Sequence, residues 1–315
     1  MQWNRFIFCF LAFASPDVKI TSHRVQRGLG FSICLLTFFF QHAFAAMPMG
    51  VDVQTPAIGD HALRILSPNL LELFLVNTKQ PDPAAVDGWN WVDASQNFIP
   101  QDLSSVKVIV NGQANLVTGS GFKRRPLYAP LLAWDLRIGN HLYLQLSNSI
   151  PGGASVQVTN NGTLWPANMV FATVADPLRF NPAIHVNQEG YLPAYPKKAA
   201  VGYYLGSLGE MAIPTNTFFL VNAQNGATMF QGLLTLRADV GYTYAPTPYQ
   251  QVYEADFSSF TTPGQYFLMV PGMGASLPFR VDEGVAMAFA RTFALGIFHQ
   301  RGGFDVAMPF TRFTH

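Results

Sequence analysis

His141-Leu142-Tyr143-Leu144-Gln145-Leu146 sets the fold class. Leu142, Leu144 and Leu146 alternate with Tyr143 and Gln145, a period of two that fits a strand with one face in a core and the other toward water. A helix needs apolar residues three and four apart, and no ten-residue segment between Val51 and Asp176 shows that spacing. Leu70–Asn77, Val106–Val110, Ser155–Thr159 and Met169–Thr173 read as further short strands. Asn111-Gly112 directly follows the second of these and Asn161-Gly162 the third, and Asn-Gly readily takes the positive torsions of a tight hairpin turn. This region is therefore expected to be an all-β sandwich.

The same pattern resumes after Asp176–Pro182, a polar, Pro-bearing stretch that reads as a boundary. Ala199–Tyr204, Thr217–Asn222, Thr228–Leu233, Gln250–Asp256, Gly264–Met269 and Leu277–Val281 are candidate strands, with turns at Asn225-Gly226 and Pro263-Gly264. Six or seven short strands in about a hundred residues fit an immunoglobulin-like sandwich, here without its disulfide. After Val281 the period changes. Ala286, Phe289, Ala290, Phe293 and Ile297 recur at three- and four-residue spacing, the face of a helix that Asp282 can cap and Gly302-Gly303 can end. A buried helical stripe so close to His315 wants partners that the remaining residues barely supply. The expectation is a helical domain that begins here and is cut off; the alternative is a C-terminal helix packed on the second sandwich.

Composition narrows the function classes. Of 315 residues, 49% are hydrophobic and 12% charged, against a usual charged share of about 25%, so a disordered solvating chain is excluded. A net charge of +1 without a long Lys/Arg run offers nucleic acid no electrostatic footing. Phe6–Ala14 and Leu29–Phe40 are apolar but shorter than the ~20 residues of a membrane span. The second run follows Arg24 and Arg27 and leads into Ala43-Phe44-Ala45, the small-x-small pattern of a signal-peptidase site. Residues 1–45 are thus expected to be an export leader, giving a secreted or periplasmic protein with no membrane association once it is removed; a retained hydrophobic anchor is the alternative. The earlier Ala12-Phe13-Ala14 also leaves room for a true start downstream of Met1. Cys9 and Cys34 both lie in the leader, so the rest of the chain has no disulfide, thiolate metal site or cysteine nucleophile. No cofactor or metal is expected, because His185 and His299 lack partners at metal-ligand spacing. The domain reading is 1–45 leader, 46–178 N-terminal β-sandwich, 179–282 Ig-like domain and 283–315 the start of a helical domain.

The second half carries a family resemblance. Asn187-Gln188-Glu189-Gly190-Tyr191, then Pro196-Lys197-Lys198-Ala199, resembles the opening of the N-terminal Ig-like domain of glycoside hydrolase family 9. Asp256-Phe257-Ser258, Pro263-Gly264-Gln265-Tyr266 and Ser276–Val281 are similar to later elements of that domain, in the same order. Phe298-His299-Gln300-Arg301-Gly302-Gly303 is similar to the segment where the family's helical catalytic barrel begins, with Gly302 where Cys is often found. The match spans about Ile184–His315. It implies a cellulase scaffold: two consecutive β-sandwich domains, the second Ig-like, followed by the first helix of a truncated α/α barrel. The implied chemistry is inverting hydrolysis of β-1,4-glucan, with polysaccharide as the partner of the full-length enzyme. The implied catalytic carboxylates lie beyond His315, so no catalytic residue is assigned and the chain itself is expected to be inactive.

Within the chain, Trp89, Trp91 and Phe98 flank a loop rich in Asp and Asn, where exposed aromatic faces could stack on sugar rings. These three are the sugar-binding candidates, and the alternative is that they plug one end of the first sandwich. Trp91-Val92-Asp93-Ala94-Ser95 echoes the family's catalytic-base segment but lacks its second Asp and precedes the Ig-like domain, so Asp93 is not assigned a role. Lys123-Arg124-Arg125-Pro126 reads as a solvated basic loop, and Asn161-Gly162-Thr163 fits a glycosylation acceptor. The rival function is a secreted carbohydrate-binding or cell-surface β-sandwich protein without catalysis.

Overall fold

In the computed structural model the described residues are 56–79, 91–92, 103–128, 136–161, 164–166, 168–238 and 251–301. The first sandwich pairs two four-stranded sheets. One has the order β1 (His61–Ser67), β2 (Leu70–Lys79), β6 (Leu136–Leu146), β5 (Val117–Tyr128). The other has the order β4 (Gln113–Asn115), β3 (Val106–Val110), β7 (Ser155–Asn160), β8 (Phe171–Val174). Their ladders are antiparallel. Leu71, Leu73 and Leu75 of β2 and Leu142, Leu144 and Leu146 of β6 point inward, meeting Val106, Val108, Val156 and Val158 in one core. Asn111 and Gly112 both have positive φ, 48° and 78°, so the expected hairpin turn joins β3 to β4. Sequence alternation did not reveal β1 or β5. The supposed basic loop 123–126 is in fact part of β5, a strand whose Gly119, Gly121 and Pro126 break the apolar pattern.

The second sandwich contains β9 (Ile184–His185), β10 (Lys198–Val201), β11 (Thr217–Asn222), β12 (Thr228–Leu236), β13 (Tyr253–Asp256), β14 (Gly264–Val270), β15 (Gly274–Ala275) and β16 (Phe279–Val281). β12 joins its two sheets: Thr228–Leu233 pairs with β11, and Leu234–Leu236 pairs with β13. Phe218, Leu220, Ala255, Phe257, Tyr266, Leu268 and Val281 fill the core. One helix follows, α1 (Gly284–Gln300).

The two sandwiches meet on a face that alternation assigns to water. Antiparallel register aligns Arg64, Glu72 and Tyr143 in one row and Phe74, His141 and Lys123 in the next, all on the outer side of the β1-β2-β6-β5 sheet. Tyr203 and the 3-10 turn Gly206–Leu208 of the second sandwich cover them. Tyr143 is 0% exposed and, with Leu66 and Leu70, completes the core of the second sandwich. The turn comes close enough that a Cβ on Gly206, at φ 64°, would strike the Phe122 carbonyl oxygen. Polar contacts then fix the approach. The Lys123 ammonium donates to the Tyr204 carbonyl at 2.7 Å, and the Asn181 amide donates to the Leu66 and Met273 carbonyls at 2.7 and 2.9 Å. Val53–His315 accordingly forms one compact unit.

Candidate functional site

The motif-bearing segments converge where β16 passes into α1. Asn187 folds its own loop: its side-chain amide donates to the Gly190 carbonyl at 3.0 Å, while its Oδ1 accepts from the Glu189 N–H at 3.1 Å. The Tyr191 hydroxyl accepts from the Asn187 N–H at 2.9 Å and donates to the Lys198 carbonyl at 2.9 Å. Its ring packs edge-on against Phe257 and Phe279, with centroids 5.0 and 5.3 Å away. The Tyr191 N–H donates to the Arg280 carbonyl at 2.8 Å, and the Asp282 N–H returns a bond to the Tyr191 carbonyl at 3.0 Å. Gly190, at φ 105°, sits under this junction; a Cβ there would lie 2.8 Å from the Arg280 oxygen and 2.9 Å from Val285 Cγ2. Only glycine combines that torsion with that clearance. Asp282 then starts the helix, its Oδ1 accepting from the Gly284 N–H at 2.6 Å.

Lys197 anchors the far side of the same loop. Its side chain is fully buried, and its ammonium donates to the Pro193, Tyr195 and Ser258 carbonyls at 2.7, 2.7 and 3.1 Å. Three N–H donors meet three acceptors, so the buried cation is satisfied without a touching carboxylate. Burial lowers its pKa, against the pull of Asp256. Ser258 closes the arrangement, its hydroxyl accepting from the Lys197 N–H at 2.9 Å and its own N–H donating to Asp256 Oδ1 at 2.9 Å. The Ser258 bonds hold the Asp256 carboxyl below its usual range. These motif residues bind one another. They build a platform.

That platform carries α1, whose sequence Gly-Val-Ala-Met-Ala-Phe-Ala-Arg-Thr-Phe-Ala-Leu-Gly-Ile-Phe-His-Gln has one permanently charged residue, Arg291. A helix apolar on every side belongs inside a core. Here Met287 is 73% exposed, Phe289 56% and Phe293 60%, with Leu295, Ile297 and Phe298 also open. The rings of Phe289 and Phe293 stack at 6.2 Å along the open side. Between helix and loop runs a cleft of about 560 Å³ lined by Leu192, Tyr195, Pro196, Val285, Ala286 and Phe289. Such a surface is suited to packing against other apolar side chains.

Trp91 is not on the surface. It is 2% exposed, its indole N–H donates to the Leu164 carbonyl at 2.6 Å, and its ring meets Phe122 and Trp165 at 6.4 and 6.2 Å. It plugs the first core and offers no face to a sugar. Trp89 and Phe98 lie outside the described residues. His185 is exposed with a ring nitrogen 3.3 Å from the Gly202 carbonyl, and the His299 side chain is outside the description. Among the described residues no group of three or more His, Cys, Asp or Glu can hold a metal, and no helix is long and apolar enough to cross a membrane.

Residues 179–275, most of the second sandwich, match the family described as the cellulase N-terminal ig-like domain. Endoglucanase D of Acetivibrio thermocellus is 29% identical over 139 residues, 44% of this chain and 20% of that protein. The chain spans about a fifth of the length of the curated relatives it matches. Among solved structures, a metagenome-derived glycoside hydrolase family 9 endoglucanase is 30% identical, covering 42% of this chain and 23% of its own, at a TM-score of 0.33. A Bacteroides ovatus GH9 protein is 25% identical, covering 40% and 20%, at a TM-score of 0.31.

Proposed function

We propose that this chain is the N-terminal, non-catalytic part of an exported family 9 glycoside hydrolase that cleaves β-1,4-glucan with inversion. The observation that carries this reading is the exposed, predominantly apolar α1, which emerges from a cellulase-type Ig-like domain immediately after its last strand. In this reading α1 is the first helix of a helical catalytic domain, and the cleft beside Tyr195 and Phe289 receives further apolar side chains from it. The platform of Asn187, Gly190, Tyr191 and Lys197 fixes the angle at which that helix leaves. Inversion needs a carboxylic acid and a carboxylate about 6.5–9.5 Å apart with a water between them. Both would come from the helical domain, and the bound polysaccharide is that domain's substrate.

Two measurements test this. The chain alone should release no reducing ends from carboxymethylcellulose; turnover by it would refute the assignment of the carboxylates to a separate domain. Extension of the reading frame through a helical domain should yield glucan hydrolysis with the anomeric configuration inverted, and a retained configuration would overturn the mechanism. The burial of Trp91 removes support from the rival carbohydrate-binding reading.

A further inference from the structure

The contact between the two sandwiches is built around one buried carboxylate. Glu72 is 0% exposed and ionised, so it can only accept. Its Oε1 takes bonds from His141 Nδ1–H at 2.7 Å and from the Tyr203 hydroxyl at 3.0 Å; its Oε2 takes one from the Arg64 guanidinium at 2.7 Å. Glu72, His141 and Arg64 belong to the first sandwich and Tyr203 to the second, so this carboxylate spans the joint. The Lys123 ammonium lies 4.2 Å from the Tyr203 ring centre and 5.7 Å from that of Tyr143. The charged and titratable groups on this face are Arg64 from β1, Glu72 from β2, Lys123 and the exposed Arg125 from β5, His141 and Tyr143 from β6, and Tyr203 from the second sandwich. Among the described residues, three permanent or near-permanent cations on this face therefore share a single anion.

We infer that this joint is an acid-released latch, in which Glu72 locks the first sandwich onto the Ig-like domain near neutral pH and added protons free it. A proton on His141 adds a fourth positive charge to a face with one carboxylate. It also turns Nε2, which has no hydrogen-bond partner among the described residues, into a buried bare donor. A proton on Glu72 removes the negative charge that His141, Arg64 and Tyr203 share and turns one of its two acceptor oxygens into a donor.

The burial shifts of His141 and Lys123 agree in sign. Burial holds His141 below its usual 6.5, against the pull of Glu72 and with Lys123 and Arg125 adding to the lowering. Burial alone would raise the Glu72 carboxyl, but the His141 bond and the Arg64 charge bring it down to about 2. Burial takes Lys123 down to about 8, against the attraction of Glu72. His141 and Lys123, both lowered by burial, bind their protons more readily when the joint is apart, whereas the groups that lower Glu72 belong to its own sandwich and stay with it. Docking therefore weakens as pH falls below 6.5 through the His141 titration. It strengthens as pH rises from about 8 to 10.5 through Lys123.

The test compares the whole chain with Glu72→Gln and Tyr203→Phe, using calorimetry and chymotryptic cleavage at Phe180, beside the buried Asn181 of the connector. Wild type should unfold in one transition near pH ~8 and in two below pH ~5, with cleavage accelerating by up to roughly tenfold per pH unit where one proton is taken up. Glu72→Gln should give two transitions and fast cleavage already near pH ~8, with little further pH response. Tyr203→Phe, a smaller change that decides the matter alone if Glu72→Gln does not fold, should shift the splitting to higher pH. Glu254→Gln, at the separate Lys198–Glu254 pair, should behave as wild type. One concerted transition for wild type across the whole range, or an unaltered pH profile in Tyr203→Phe, would overturn the latch.

Discussion

Replacing Phe289 and Phe293 together by Gln separates a helix that is packed from one that awaits a partner. The two rings are 56% and 60% exposed, and a phenylalanine buries on the order of 150–250 Å² when covered. Each therefore leaves about 100 Å² of apolar surface in water, which at ~25 cal/mol per Å² is worth about 2.5 kcal/mol once a partner covers it. In the chain alone that surface stays wet in the native state, and Gln is a somewhat better helix former than Phe. The double variant should then lie within about 0.5 kcal/mol of wild type by urea unfolding. It should also reduce self-association in sedimentation velocity, since a large exposed apolar patch drives it. Phe279→Ala, which opens the 2%-exposed core beside Tyr191, should cost about 3–5 kcal/mol in the same assay. In an enzyme extended through its helical domain, the double Gln variant should lose up to about 5 kcal/mol. If the double variant cost the chain alone more than about 2 kcal/mol, α1 would be packed in solution and the docking argument would fail.

Three further outcomes follow from the platform and the first core. Gly190→Ala forces a Cβ against the Arg280 oxygen and Val285 at φ 105°, and should cost about 1–3 kcal/mol in thermal unfolding while loosening the α1 N-terminus in amide exchange. Lys197→Met leaves three carbonyls without their donor, and a loss of about 2–4 kcal/mol is expected, with Lys197→Arg failing to restore it because a planar fork cannot reach three converging carbonyls. Trp91→Ala should destabilise the chain by about 3–5 kcal/mol, and migration in soluble-glucan gels should be unchanged between folded wild type and a Trp91→Phe variant.

The sequence was most legible where burial is one-sided. Leu142, Leu144 and Leu146 face the first core as their spacing implies, and Asn111-Gly112 makes its turn. Alternation reports which face is apolar, though, and not what covers the other face. Tyr143, His141 and Glu72 sit at polar-face positions and are nonetheless buried, because a second sandwich, distant in sequence, lies on them. A Glu and a His offset by 69 positions leave no local trace of their bond. β5 was missed for a different reason: its Gly121 admits the Gly206–Leu208 turn, and a strand without a side chain there loses part of the pattern by which it is recognised. Trp91 had the composition of a sugar-stacking loop around it, yet an indole with its N–H satisfied by Leu164 is a core residue. In α1 the three- and four-residue spacing marked the helix. The apolar residues off that stripe, Met287, Leu295 and Phe298, were the better sign that no single face is the buried one.

The two contact surfaces differ in what can separate them. The sandwich joint rests on hydrogen bonds to one carboxylate amid several cations, so protons and charge substitutions act on it. The surface of α1 carries Arg291 alone among permanent charges, and apolar burial is indifferent to pH over the range where His and Glu titrate. Acid should therefore loosen the first sandwich while the Ig-like domain stays joined to whatever covers α1. In an extended enzyme, hydrogen exchange near pH ~5 should show deprotection at Tyr203–Leu208 and along β5, with α1 amides still protected. Simultaneous deprotection of both would mean that the joint and the helix contact form one cooperative unit, and that Glu72 does more than hold the first sandwich in place.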